Sequence, residues 1–194
     1  MLDQKSDNRT KLLQVGMTLF ATHGYDGVGV QQIVEAVGVT KPTLYHYFES
    51  KHGLLKAIID HHADDLLMQI RQAAKYDRNI TSTIKTVMTA YFDYAVAHPV
   101  FYRMVLAMWF APSSSEYYLD VADLQQRQFV MIEYLFQRAA DDHGNMKGRH
   151  RQYAVTFKGM IDTYIGLSLQ GYISLDNPQL VHQLAHQFMH GIFS

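Results

Sequence analysis

Between residues 40 and 46 the chain gathers two threonine hydroxyls (Thr40, Thr43), an ammonium (Lys41), a phenol (Tyr45) and an imidazole (His46) around the apolar Leu44. Such groups suit phosphate oxygens and base edges, and none of them is acidic. A second set, His182, His186 and His190, recurs at i, i+4 and i+8, the spacing of helical metal ligands. That stripe drifts around a helix, and no cysteine or carboxylate completes it locally, so it reads as a solvated or interface face; metal remains the other reading. The pair His61-His62 before Asp64-Asp65 is of the same kind. Nucleophile elbows, Walker loops and dinucleotide fingerprints are missing from the sequence. A helical di-metal oxidase would need two Glu-x-x-His units, and only Glu49-Ser50-Lys51-His52 matches. The sequence therefore predicts no enzyme and no cofactor.

The elements that must hold the polar set are short helices. Val30, Ile33, Val34 and Val37 recur at helical spacing, and Gly38 supplies a backbone on which that helix stops and turns. Thr40 is a suitable N-cap for a second helix over residues 41–47, where Pro42 falls in the first turn. Leu44 and Phe48 would face inward, leaving Thr40, Lys41, Thr43, Tyr45 and His46 outward. This is the layout of a helix-turn-helix, whose second helix enters the major groove of DNA.

The run Ala36-Val37-Gly38-Val39-Thr40-Lys41-Pro42-Thr43-Leu44-Tyr45-His46-Tyr47-Phe48, followed by Ser50-Lys51 and Leu54-Leu55, resembles the signature of the tetracycline-repressor-like (TetR) transcriptional regulators. The resemblance spans about residues 8–56. It implies that Thr40, Lys41, Thr43, Tyr45 and His46 meet DNA and that Lys51 contacts phosphate. Gln31 and Gln32, at the start of the preceding helix, could add phosphate or adenine contacts. Tyr47 and Phe48 read as packing residues. It also implies a homodimer on a pseudo-palindromic double-stranded operator, and an inducer pocket in the C-terminal part.

The 194-residue chain carries no cysteine and a net charge of −1, which excludes a disulfide scaffold and does not advertise a nucleic-acid binder. Residues 1–56 hold six basic and five acidic side chains, so few phosphates would be neutralised per subunit. The N-terminus lacks a signal-peptide pattern, and the apolar run 104–111 is far short of the roughly 20 residues that span a membrane. A cytoplasmic protein with no membrane association is expected.

Apolar residues recur at three and four throughout, without sustained alternation, which predicts an all-α fold. The expected helices cover residues 7–22, the helix-turn-helix, 51–76, 80–98, 101–110, 116–141, 148–174 and 178–193. The expected domains are a three-helix DNA-binding domain, residues 1–52, and a helical ligand-binding and dimerisation domain, residues 53–194. The pocket of an apolar inducer is assigned to Met88, Tyr91, Phe92, Met104, Met108, Trp109, Phe129, Tyr134, Met160 and Tyr164, adaptable and aromatic types suited to a cavity. Residues 153–172 are apolar nearly all round, with small residues that let a second helix approach. Gly159, Thr163 and Gly166, with Leu184, Phe188 and Ile192 of the last helix, are accordingly assigned to a subunit interface. Together these features point to a repressor released by a small molecule. The other readings are a regulator without a ligand and a helical metal-binding protein that retains the DNA-binding pattern.

Overall fold

The structure, a computed structural model, describes residues 2–177 and 179–191, with side chains from residue 7 onward. Among these residues the fold is all-helical. The elements are α1 (Leu2–His23), α2 (Val30–Val37), α3 (Lys41–Phe48), α4 (Lys51–Ala73), α5 (Ile80–Ala97), α6 (Pro99–Trp109), α7 (Tyr118–Asp142), α8 (His150–Leu169) and α9 (Leu180–His190), with a 3-10 turn at Gly144–Met146.

Local chemistry sets the boundaries. Gly38 adopts φ 77°, and the bonds Gly38 N–H to Glu35 O and Val39 N–H to Val34 O close α2 as a left-handed glycine stop. The side chain of Asn79 accepts from the Ser82 N–H at 3.0 Å and caps α5. Proline opens α6, where its missing N–H costs nothing. The helix expected over 148–174 ends earlier, at Leu169, because Gly171 takes φ 80° and the Tyr172 N–H turns back to Leu167 O. The polar stretch expected simply to end α7 contains the 3-10 turn. Elsewhere α1 begins nearer the N-terminus than expected, at Leu2, and α4 stops at Ala73.

The chain packs as two compact units, residues 1–64 with 100–124, and residues 65–99 with 125–194. In the first, α1 packs on α2 and α3, and Leu12, Phe20, Ile33, Leu44, Leu54 and Leu55 are almost wholly removed from water. Each such side chain contributes about 1.5–3 kcal/mol of burial. In the second, α5 packs against α8 and α9 around Ile84, Val87, Met88, Phe136, Phe157, Ile161 and Leu184. The units do not follow a single cut after residue 52. Helix α6 and the start of α7 belong to the same unit as the helix-turn-helix, a long-range association that periodicity along the chain does not encode.

Candidate nucleic-acid interface

Helix α3 is held by two anchors, Leu44 (0 % exposed) and Phe48 (5 %), one helical turn apart, so the remaining positions must face away. Thr40, Lys41, Tyr45 and His46 are exposed and Thr43 is partly so. Thr40 has the extended backbone of an N-cap, but its hydroxyl makes no capping bond. It lies 3.1 Å from the Thr43 hydroxyl instead. No side chain caps the first turn of α3; Pro42 has no N–H to offer, and the Thr43 and Leu44 amides donate to the Thr40 carbonyl at 3.0 and 3.3 Å. Gln31 and Gln32 are exposed on α2, and the Gln31 amide donates to Glu35 at 2.5 Å, a bond that contact with a base would have to replace. His46 packs edge-on against Tyr47, and the Arg9 guanidinium lies 5.5 Å from the Phe48 ring.

The exit from α3 is built tightly. Glu49 has φ 63°, turning the chain sharply, and the Ser50 hydroxyl accepts from the Gly53 N–H at 2.9 Å, capping α4. A Cβ on Gly53 would lie 1.8 Å from the Phe48 carbonyl oxygen, so the close approach requires glycine.

Lys51 lies elsewhere than its assignment to phosphate suggests. Its ammonium donates to the carbonyls of Tyr25 (2.9 Å) and Val28 (3.0 Å) and sits 3.9 Å from the centre of the Tyr25 ring. It ties the start of α4 to the loop between α1 and α2. Tyr25, only 2 % exposed, donates its hydroxyl to Glu116 at 2.5 Å and packs edge-on against Tyr117. Burial first, and then the bond to Glu116, push its phenol well above the ordinary tyrosine range. His52 meets Asp120 at 2.6 Å. Sequence reading missed this set. A partner 91 residues away from Tyr25 in sequence leaves no periodic trace.

In the second unit Met88, Tyr91 and Phe92 are packed in the core. Phe129, Met160 and Tyr164 are half-buried, and Tyr134 is exposed. Met104, Met108 and Trp109 belong to the first unit. Tyr134 and Phe92 line two separate cavities. Lys158 is buried with its ammonium 2.5 and 2.6 Å from the Asp162 carboxylate oxygens and 3.4 Å from Gln125.

On α8 a face of Val155, Gly159 and Thr163 is exposed and Gly166 partly so, and a Cβ on either glycine would meet nothing within 4 Å. Leu184 is buried, and Phe188 packs on Phe136 and Phe157, so both serve their own unit's core. Ile192 lies outside the described residues. The His186 and His190 rings lie 4.7 Å apart, while His182 lines a cavity with α5. No group of three or more metal-ligating side chains converges among the described residues, and no helix there is long and apolar enough to cross a membrane.

A short helix anchored by two side chains, with a polar outer face and a glycine-turned predecessor, defines the helix-turn-helix class of DNA-binding folds. The family model of bacterial regulatory proteins, tetR family, matches residues 12–58, the stretch that holds the helix-turn-helix. The chain is 30 % identical over 101 residues to the transcriptional activator FasR of Mycolicibacterium smegmatis, covering 52 % of this chain and 46 % of that protein. To the transcriptional repressor ComR of Escherichia coli it is 37 % identical over 90 residues, covering 46 % and 40 %. The chain thus spans less than half the length of these curated relatives. In fold it is similar to the regulator FadR of Bacillus subtilis, solved in complex with stearoyl-CoA, with a TM-score of 0.76 and 15 % identity over 94 % of this chain and 98 % of that one.

Proposed function

We propose that the protein is a homodimeric, sequence-specific transcriptional regulator that reads a pseudo-palindromic operator with α3 and leaves it when an apolar small molecule binds. The observation that carries this reading is the outward face of α3, where Thr40, Lys41, Thr43, Tyr45 and His46 stand over a fixed core beside an uncapped helix start. Thr43, Tyr45 and His46 would read bases, and the Lys41 ammonium would bind phosphate. Gln31 and Gln32 would support them from α2.

Dimerisation would use the open Val155, Gly159, Thr163 and Gly166 face of α8, where the absence of bulk lets a second copy approach. Two recognition helices must sit about 34–36 Å apart to enter successive major grooves. A ligand that favours a state of different spacing must, by linkage, weaken DNA binding. The similarity in fold to a regulator holding stearoyl-CoA supports an apolar ligand bound among the helices after residue 80. Activation is the second reading of the regulatory sign, favoured by the similarity to an activator. The protein would act in the cytoplasm, where its DNA is.

Selection of bound duplexes from a random pool tests the reading. Enrichment of one inverted repeat, bound by two chains, is the expected result, and a pool that stays random at low salt would overturn it. Compounds that stabilise the protein thermally are then added to the operator complex, and release by none of them would remove the inducer.

A further inference from the structure

The second unit holds a cavity of about 280 Å³ that none of the assigned pocket positions lines, apart from Phe188 of the assigned interface. Its walls come from Ile80 at the start of α5, Phe136 near the end of α7, His143 and Met146 around the 3-10 turn, Tyr153 on α8 and Phe188 on α9. The rings of Tyr153 and Phe188 each lie within 6 Å of Phe136, at 5.9 and 5.8 Å, giving the cavity an aromatic wall. None of its lining residues carries a formal charge. Nε2 of His143 is buried and has no hydrogen-bond partner, an arrangement that native interiors rarely leave unexplained.

We propose that this cavity binds a small uncharged molecule of one or two rings bearing a hydroxyl group that pairs with His143 Nε2. The volume is roughly twice the ~150 Å³ of an apolar cavity that holds benzene, which sets the size of the ring system. Aromatic walls favour a flat ring in offset or edge contact. A carboxylate or phosphate would lose its hydration with no cation to replace it. A hydroxyl donates and accepts, so it satisfies either tautomer of the imidazole. The site deepens the inducer reading and rests on it only for its regulatory effect, since binding here is measured without DNA.

The test is calorimetric titration of the full chain with 2-naphthol and 2-naphthoate. We expect saturable binding of one 2-naphthol per chain, with 2-naphthoate at least about tenfold weaker. His143→Leu should weaken 2-naphthol binding about tenfold while His143→Gln, which keeps a hydrogen-bonding end, recovers most of it. Met146→Trp, which fills the cavity, should abolish it. Circular dichroism melts confirm that each variant is folded. Absence of 2-naphthol binding to the unmodified chain, equal binding of the naphthoate, or unchanged affinity in both His143→Leu and Met146→Trp overturns the proposal. A chain that binds 2-naphthol but keeps its operator would retain this site and lose only the regulatory reading.

Discussion

Lys51 and Tyr25 show how one side chain can be diverted from the surface to the scaffold. An ammonium shared between two carbonyls and an aromatic face holds the α1–α2 loop against the start of α4, and hydrogen bonds to charged groups contribute about 1.5–3 kcal/mol where they are shielded. Lys51 is only half-buried, so Lys51→Ala should cost about 1–2 kcal/mol in a denaturant melt and weaken binding to every DNA sequence alike. Thr43→Ala and Tyr45→Ala, on the outer face of α3, should instead leave stability nearly unchanged and alter which sequences are preferred. A Lys51→Ala chain as stable as the parent would return that residue to a purely surface role. For Tyr25, the folded state holds the phenolic proton more tightly than the unfolded chain, whose tyrosine titrates near pH ~10. Its stabilisation is fully present below that pH and is lost as the pH rises above it, because only the unfolded chain then gives up the proton. Melting temperature should therefore fall more steeply above pH ~10 in the parent than in Tyr25→Phe. Parallel slopes would show that the phenol is not protected.

Among the elements, the two glycines around α4 make contrasting demands. A Cβ on Gly16 of α1 would come 2.9 Å from Cδ2 of Leu54, the flexible end of a side chain, whereas one on Gly53 would strike the Phe48 carbonyl at 1.8 Å. Gly16→Ala should accordingly cost about 1 kcal/mol or less, and Gly53→Ala about 2–4 kcal/mol with loss of the α3–α4 corner. Chemical denaturation of both variants measures the difference, and equal costs would contradict the geometry. The contrast also marks what could be read from the chain. Helices α2 and α3 were legible because Ile33, Val34, Leu44 and Phe48 carry a local 3.6-residue pattern, and Gly38 and Pro42 punctuate it. Gly53 and Lys51 sit in the same motif, yet their roles depend on Phe48, Tyr25 and Val28 in space. Tyr25–Glu116 and His52–Asp120 join segments far apart in sequence, so no window along the chain contains them. The division of the pocket positions between units is illegible for a similar reason. Methionine and aromatic content says that a helix is apolar, but not which unit it joins: Met104 and Met108 belong to the first unit and Met88 to the second.

At the scale of the whole molecule, α8 presents a conflict that a second copy would resolve. Ala154, Phe157, Ile161 and Ile165 bury one side of the helix, while Val155 remains 57 % exposed beside Gly159 and Thr163. An exposed valine alone is ordinary. The same side also has two glycines with open space where side chains would stand, which suits a closely approaching helix and gives the single chain no packing advantage over alanine. Charge placed there separates the two explanations. In an isolated chain Val155→Glu with Gly159→Glu should be tolerated, because both positions face open space and a glutamate favours helix over glycine. In a dimer related by two-fold symmetry each change appears on both copies, so carboxylates are buried against one another without counter-charge. Sedimentation velocity should therefore show the parent at twice the 22.3 kDa chain mass and the double variant at the single-chain mass, with its helical content retained. Operator affinity should fall by orders of magnitude, since one recognition helix reads only half of an inverted repeat. A double variant that stays dimeric and keeps its operator would move the interface off α8.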